Sequence, residues 1–384
     1  MPRRRPEDPA ARQFAAVATS LVVIACFAVA VVVYFLDVLS PDVLLAGVLL
    51  AVVPLVIVLV GIHLVDRWEP EPRLILVFAF LWGAAVSVGA ALAFDFAVQT
   101  VQSALGHGHS DGDDVLAAVV QAPIVEEIAK GFGVLLVLWI FRKSFDGPID
   151  GIVYAATVAA GFAFVENVQY FSVQAAREAT GFGGDLTGVF LVRALMAPFG
   201  HIIYTSCTGF ALGLAARRTG ALGAIGYFVV GLIPAIALHA LWNGALVVVG
   251  GSFVAYYAAV QVPIFAACVV GVFVLRRLER RVTRLRLGDY AEAGWFDADE
   301  VRMLSNGRSR QRALRWARHN GVEPLMRTFV SDSTRLASTR QKILSNRGVA
   351  AARAAAEADE QELLASVAAA RAALAAAPVA PVPT

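Results

Sequence analysis

Four short patterns place ionisable side chains inside runs that are otherwise apolar. QAPIVEEIAKG (121–131) carries Glu126, Glu127 and Lys130, and GFAFVENVQYF (161–171) carries Phe162, Glu166, Asn167 and Tyr170. APFGHIIYTS (197–206) carries His201 and Thr205, and ALHALWNGA (237–245) carries His239 and Asn243. The pairs Glu126/Lys130, Phe162/Glu166, Glu166/Tyr170, His201/Thr205 and His239/Asn243 are all four residues apart, so each pair shares one helix face. Carboxylates, imidazoles and an amine grouped in this way can move protons, stabilise developing charge or ligate a metal. In a membrane such groups are costly unless they face protein or a water-filled cavity, and they default to function.

The elements that must hold them are transmembrane helices. The 384 residues are 58% hydrophobic and only 16% charged, with a mean hydropathy of +0.69. That composition defines an integral membrane protein. Eight apolar runs (14–36, 43–65, 74–98, 116–141, 150–172, 189–215, 222–249 and 253–275) are each long enough to cross about 30 Å of hydrocarbon. The first is too long for a signal-peptide core and lacks a small-residue cleavage pattern, so it reads as a retained helix. Arginine concentrates in alternate connections, namely the N-terminus, 66–73, 142–150, 217–223 and 276–281, which places both termini in the cytoplasm by the positive-inside rule. Counted from the opposite ends, the polar groups of the four patterns converge on one layer roughly 10–18 Å deep. Such convergence predicts a cavity opening to the extracytoplasmic side, lined by runs four to seven.

The expected fold is therefore all-α: a polytopic membrane protein with about eight transmembrane helices over 1–275, a basic helical cytoplasmic region over 276–376 and a disordered tail over 377–384. Periodicity in DADEVRMLSN and in RQRALRWARHNGVEPLMRTFV predicts short amphipathic helices, and 348–376 reads as one more. The basic face could lie against anionic lipid headgroups or bind nucleic acid, but the region reads foremost as a solvated bundle beside the bilayer, with no nucleic acid expected. Cys26, Cys207 and Cys268 lie in apolar runs without CxxC spacing, which suggests neither a disulfide framework nor a thiolate site. GHGHSDGDD (106–114) has metal-compatible side chains but reads as an ordinary loop. Arg193 and Asp95 read as snorkelling near outer helix ends.

EExxK at 126–130, FxxxENxxY at 162–170, HxxxT at 201–205 and HxxWN at 239–243, in this order, resemble the PrsW family of intramembrane proteases. DRWEPEPRLILVFAFLWGA (66–84) and DGPIDGIVYAATVAAGFAFVEN (146–167) extend the resemblance over about 60–250. Two departures from family patterns stand out. Asn243 occupies a position where this family often has aspartate, and Glu166 stands where the related CAAX prenyl endopeptidases typically have histidine. The resemblance implies hydrolysis of membrane-anchored, single-span proteins at the cell membrane from the extracytoplasmic side, with an anti-sigma factor as the best-known kind of substrate.

For such chemistry, Glu126 or Glu127 is expected to activate water, with Lys130 keeping a neighbouring carboxylate ionised. Glu166, His201 and His239 are expected to position the water, stabilise the oxyanion or bind Zn²⁺, with Tyr170, Thr205 and Asn243 orienting the histidines. No HExxH is present, which excludes the zincin arrangement. Between a Zn²⁺ site and metal-free hydrolysis, the pattern leans to the metal-free form. A proton- or ion-coupled transporter uses the same residue types and would favour helices broken near Pro123, Pro198 or Pro234. A non-catalytic scaffold for single-span partners is the third reading.

Overall fold

The structure is a computed structural model that describes residues 9–106, 110–248, 252–345 and 350–377. Part of the GHGHSDGDD loop (107–109) and the tail from 378 onward lie outside the described residues. Among those described, all regular structure is helical. The helices are α1 (Pro9–Val38), α2 (Pro41–Asp66), α3 (Arg73–Ala104), α4 (111–140), α5 (Pro148–Thr180), α6 (Leu186–Arg218), α7 (Gly223–Val248), α8 (Phe253–Glu292), α9 (Ala298–Ser305), α10 (Gly307–His319), α11 (Glu323–Ser345) and α12 (Ala350–Ala376). Seven of them, α1–α3 and α5–α8, are long and apolar enough to cross a membrane. The remaining expected span is α4, which is long enough, but Glu126, Glu127 and Lys130 crowd its middle. The protein is an all-α, multi-pass membrane protein.

The described residues within 1–66, 71–213 and 224–266 form one compact unit; those within 67–70, 214–223 and 267–384 form the second. Of the seven helices long and apolar enough to cross a membrane, α5 is the most enclosed. It packs on α2 and α3 through small residues, as expected where lipid supplies no hydrophobic drive and backbones must approach closely. A Cβ built on Gly83 would stand 1.8 Å from the Val158 carbonyl oxygen, and one on Gly161 would stand 2.0 Å from that of Phe80. Large apolar side chains such as Leu49, Val60, Val230 and Val254 remain on the outside, the surface that lipid would cover.

Three helices around the polar groups are irregular. Wider π-helical turns occupy Trp82–Ser87 of α3, Ala117–Gln121 of α4 and Leu191–Met196 of α6. Such turns release backbone carbonyls that must be satisfied by neighbours. Asn243 Nδ2 donates to the Ala118 carbonyl at 2.8 Å, and the Tyr257 hydroxyl donates to that of Met196 at 2.5 Å. α6 then breaks at 197–199. Pro198 explains the break: it lacks an N–H and pushes Ala197 out of the helical region, to φ −125°, ψ 38°. His201 thus sits in the first turn of a new helical segment, Gly200–Arg218.

The second unit is a helical bundle around Leu287, Leu304, Ala317, Phe329, Leu336 and Val367. A reciprocal capping box between Asp297 and Glu300 starts α9, and the Asn306 side chain caps α10. Arg310 is buried, donating to the carbonyls of Trp68 (2.9 Å) and Leu304 (2.5 Å) and to Thr334 Oγ1 (3.0 Å). That burial lowers its pKa to about 10.

Candidate functional site

The four patterns meet in the first unit. Glu126, Glu127 and Lys130 come from α4, Glu166 from α5, His201 and Thr205 from α6, and His239 from α7. Lys130, fully buried, places its Nζ 2.6 Å from Glu127 Oε1, 3.4 Å from Glu126 Oε2 and 3.2 Å from His201 Nδ1. The Phe162 ring lies beneath the ammonium at 4.2 Å. Glu127 is fully buried and engaged on both oxygens: Thr205 Oγ1 donates to Oε2 at 2.8 Å, and His239 Nδ1 donates to Oε1 at 3.0 Å.

Both imidazoles turn one nitrogen outward to a carboxylate. His239 gives Nδ1–H to Glu127, which leaves the Nε2 lone pair 3.8 Å from Glu126 Oε2. His201 gives Nε2–H to Glu166 Oε2 at 2.8 Å, and its Nδ1 accepts from Lys130. His239 Nε2 therefore carries a lone pair, whereas that of His201 Nδ1 is engaged by the Lys130 ammonium; the carboxylate behind each ring follows the pattern that orients metal-ligating histidines. One donor atom each from Glu126, His201 and His239 lies within 4.8 Å of the others. A carboxylate and two imidazoles are a donor set that fits a zinc-class ion, and the Lys130 ammonium would have to withdraw from His201 Nδ1 where that nitrogen is the ligand.

Three carboxylates and two permanent cations meet here. Arg193 is bound to Glu166, and its Nε donates to Asn167 Oδ1 at 2.7 Å. Lys130 is closest to Glu127. Glu126 is left with the least compensation, and it faces open space. A 470 Å³ cavity is lined by Ala91 and Leu92 of α3, Ala118 and Glu126 of α4, and Phe162 and Glu166 of α5, among others, and it runs out to Asp95, Asp114 and Arg177 at the helix ends.

Several expectations need correction. The cavity is walled by α3, α4 and α5 rather than by runs four to seven. The metal-compatible trio contains Glu126, whereas Glu166 stands behind His201. None of the three expected histidine orienters bonds a histidine. Thr205 bonds Glu127, Asn243 bonds the π-turn carbonyl of Ala118, and Tyr170 lies under Arg193 at 4.0 Å. Arg193 does not snorkel; it clamps Glu166. An arginine within an apolar run was the available signal. Tyr204 was also missed. It is buried and stacked on His239 with ring centroids 5.1 Å apart, and its position three residues after His201 was the clue.

Fold and site together define a multi-pass membrane protein with a carboxylate–imidazole centre enclosed between its helices. Residues 71–268, just over half of the chain, match the PrsW family intramembrane metalloprotease, and the chain belongs to that family. The family description includes a metal, against the metal-free lean of the residue pattern. A Protease PrsW of Geobacillus kaustophilus is 29% identical over 153 residues, which cover 40% of this chain and 59% of that protein. One of Bacillus subtilis is 25% identical over 181 residues, 47% of this chain and 73% of that protein. A third, of Clostridioides difficile, is 28% identical over 156 residues, 40% and 60% respectively. The chain thus spans less than two thirds of the length of the Geobacillus and Clostridioides proteins. No solved structure matches it.

Proposed function

We propose that the protein is a metal-dependent intramembrane endopeptidase that cleaves membrane-anchored, single-span proteins; an anti-sigma factor is the substrate type the family resemblance suggests. The observation that carries this reading is the trio of Glu126, His201 and His239, whose Glu126 lines the cavity while the two histidines lie behind it. These three residues would hold the metal. Bound there, it would lower the pKa of a water and polarise a carbonyl oxygen. Glu127 fixes the tautomer of His239, and Glu166 fixes that of His201. Glu166 lines the cavity, and Arg193 and His201 both engage its Oε2. Its other oxygen is the acceptor for the proton of the attacking water and returns that proton to the leaving amine. Lys130 neutralises Glu127.

A helix with side chains is about 10–12 Å across, too wide for a 470 Å³ space whose lining includes Glu126 and Glu166. The substrate therefore enters locally unwound, as an extended segment whose carbonyl reaches the trio. The broken α6 is also a part that ion-coupled transporters use, so the deciding assay is proteolysis. Purified protein, its Glu126→Gln variant and a chelator-treated sample are incubated with a tagged single-span substrate and resolved on a gel. Cutting by the parent protein alone is expected. Binding without cutting, with Zn²⁺ supplied, overturns the reading.

Two further outcomes follow. Asn243→Ala removes a hydrogen bond to Ala118 rather than to a histidine. It should lower stability by about 1 kcal/mol and leave the turnover rate within about threefold. A tenfold or greater loss of turnover without a change in melting temperature would return Asn243 to the catalytic set. With eight crossings and the arginine distribution, both termini lie in the cytoplasm of a cell-membrane protein. A C-terminal reporter should be active only on that side.

A further inference from the structure

The second unit holds a cavity that the proteolytic reading does not use. It is an open surface depression of 290 Å³, lined by the exposed Arg280, Arg281 and Arg284 of α8, the exposed Arg302 and half-buried Ser305 of α9, and the exposed Asn306 at the start of α10. Among the described residues, no carboxylate lines it. Arg302 pairs with Asp299, and Arg280 stacks on the Trp68 ring at 4.7 Å, a ring held on another side by Arg310 at 3.8 Å. Arg281 and Arg284 form no ion pair or hydrogen bond among the described residues.

Positive-inside topology accounts for arginines at the end of a transmembrane helix. It does not account for Arg302, Ser305 and Asn306 converging on the same space from elements further along the chain. Arg280/Arg284 and Arg281/Arg284 are like charges four and three residues apart, an arrangement that weakens a helix unless an anion is shared between them. Guanidinium forks match phosphate oxygens in bidentate geometry. The volume falls at the lower edge of the small-molecule range, and the lining side chains are all polar or charged. Both features fit a compact anion rather than a nucleoside or a lipid tail.

We propose that this cavity binds a compact phosphate-bearing group, either an anionic lipid headgroup or a free phosphoanion. Arg280–Arg284 lie about 8–14 Å along α8 beyond Leu275, the last residue of its apolar run. That is close to the outer edge of the headgroup layer, so either source can reach them.

The test uses the full-length protein. In one arm, pyrophosphate is titrated into detergent-solubilised protein and binding is read by calorimetry. In the other, the protein is placed in nanodiscs of phosphatidylcholine with or without phosphatidylglycerol, and lipid retained through delipidation is quantified by mass spectrometry. Each arm is repeated with Arg281→Gln/Arg284→Gln and with Arg312→Gln/Arg315→Gln, a pair of exposed α10 arginines outside the cavity with the same change in charge. Saturable pyrophosphate binding, or retained phosphatidylglycerol, weakened at least tenfold by the first pair and less than twofold by the second, is the expected result. The arm in which it appears identifies the source. Equal losses from both pairs would show unspecific charge attraction, and absence of binding in both arms with the parent protein would show no site; either result overturns the proposal. Neither readout involves proteolysis, so the outcome is independent of the active-site reading.

Discussion

Glu126→Gln should abolish substrate cleavage and lose bound metal together, while Glu166→Gln should lose cleavage and keep the metal. Glu126 is the carboxylate of the trio and the one carboxylate there with neither Arg193 nor the closest approach of Lys130 to balance it. Glutamine keeps its size but removes the charge that holds a dication, so metal content should fall below detection by elemental analysis. Glu166 stands behind His201, and replacing it leaves three ligands in place. Loss of a proton acceptor should lower turnover by about 10²–10⁴-fold, with metal stoichiometry retained. Equal metal content in both variants, with equal loss of activity, would move Glu126 from ligand to base. Full activity of Glu126→Gln would remove it from the mechanism.

The second large effect is on folding. Glu127 and Lys130 are both fully buried, 2.6 Å apart. Removing one partner leaves the other buried without its nearest countercharge: Lys130 then has Glu126 at 3.4 Å, and Glu127 keeps only His239 and Thr205. The cost is up to about 3–5 kcal/mol. Glu127→Gln and Lys130→Met should each sharply lower the melting temperature of the detergent-solubilised protein. The double variant should recover most of that loss, because neither charge then remains. Activity should not return with it, since His239 still lacks the carboxylate that orients it. Additive destabilisation in the double variant would show that the pair is not coupled and that the Lys130 contacts to Glu126 and His201 dominate.

Arg193 and Asn243 mark where reading the sequence stops. Composition, eight apolar runs and the arginine distribution were enough for an all-α polytopic chain, because crossing a bilayer demands about twenty apolar residues in a hydrogen-bonded helix. Glu126, Glu127, Glu166, His201 and His239 were legible as a set for a related reason: few forces other than function retain ionisable groups at that depth. Spacing put the members of each pair on one face of its own helix, and Glu126 and Lys130 do meet in this way. It could not say how one helix is rotated against the next, and that rotation decides the site. A π-turn inserts an extra residue and turns everything beyond it by about 100°. Such turns precede Glu126 on α4 and His201 on α6. With these turns in place Glu126 lines the cavity and Glu127 is buried behind it, Arg193 contacts Glu166 rather than the lipid boundary, and Asn243 bonds the Ala118 carbonyl instead of a histidine. The residue types came from the sequence; which of them faces the cavity was settled by packing, because only neighbouring helices can satisfy the backbone groups that those turns expose.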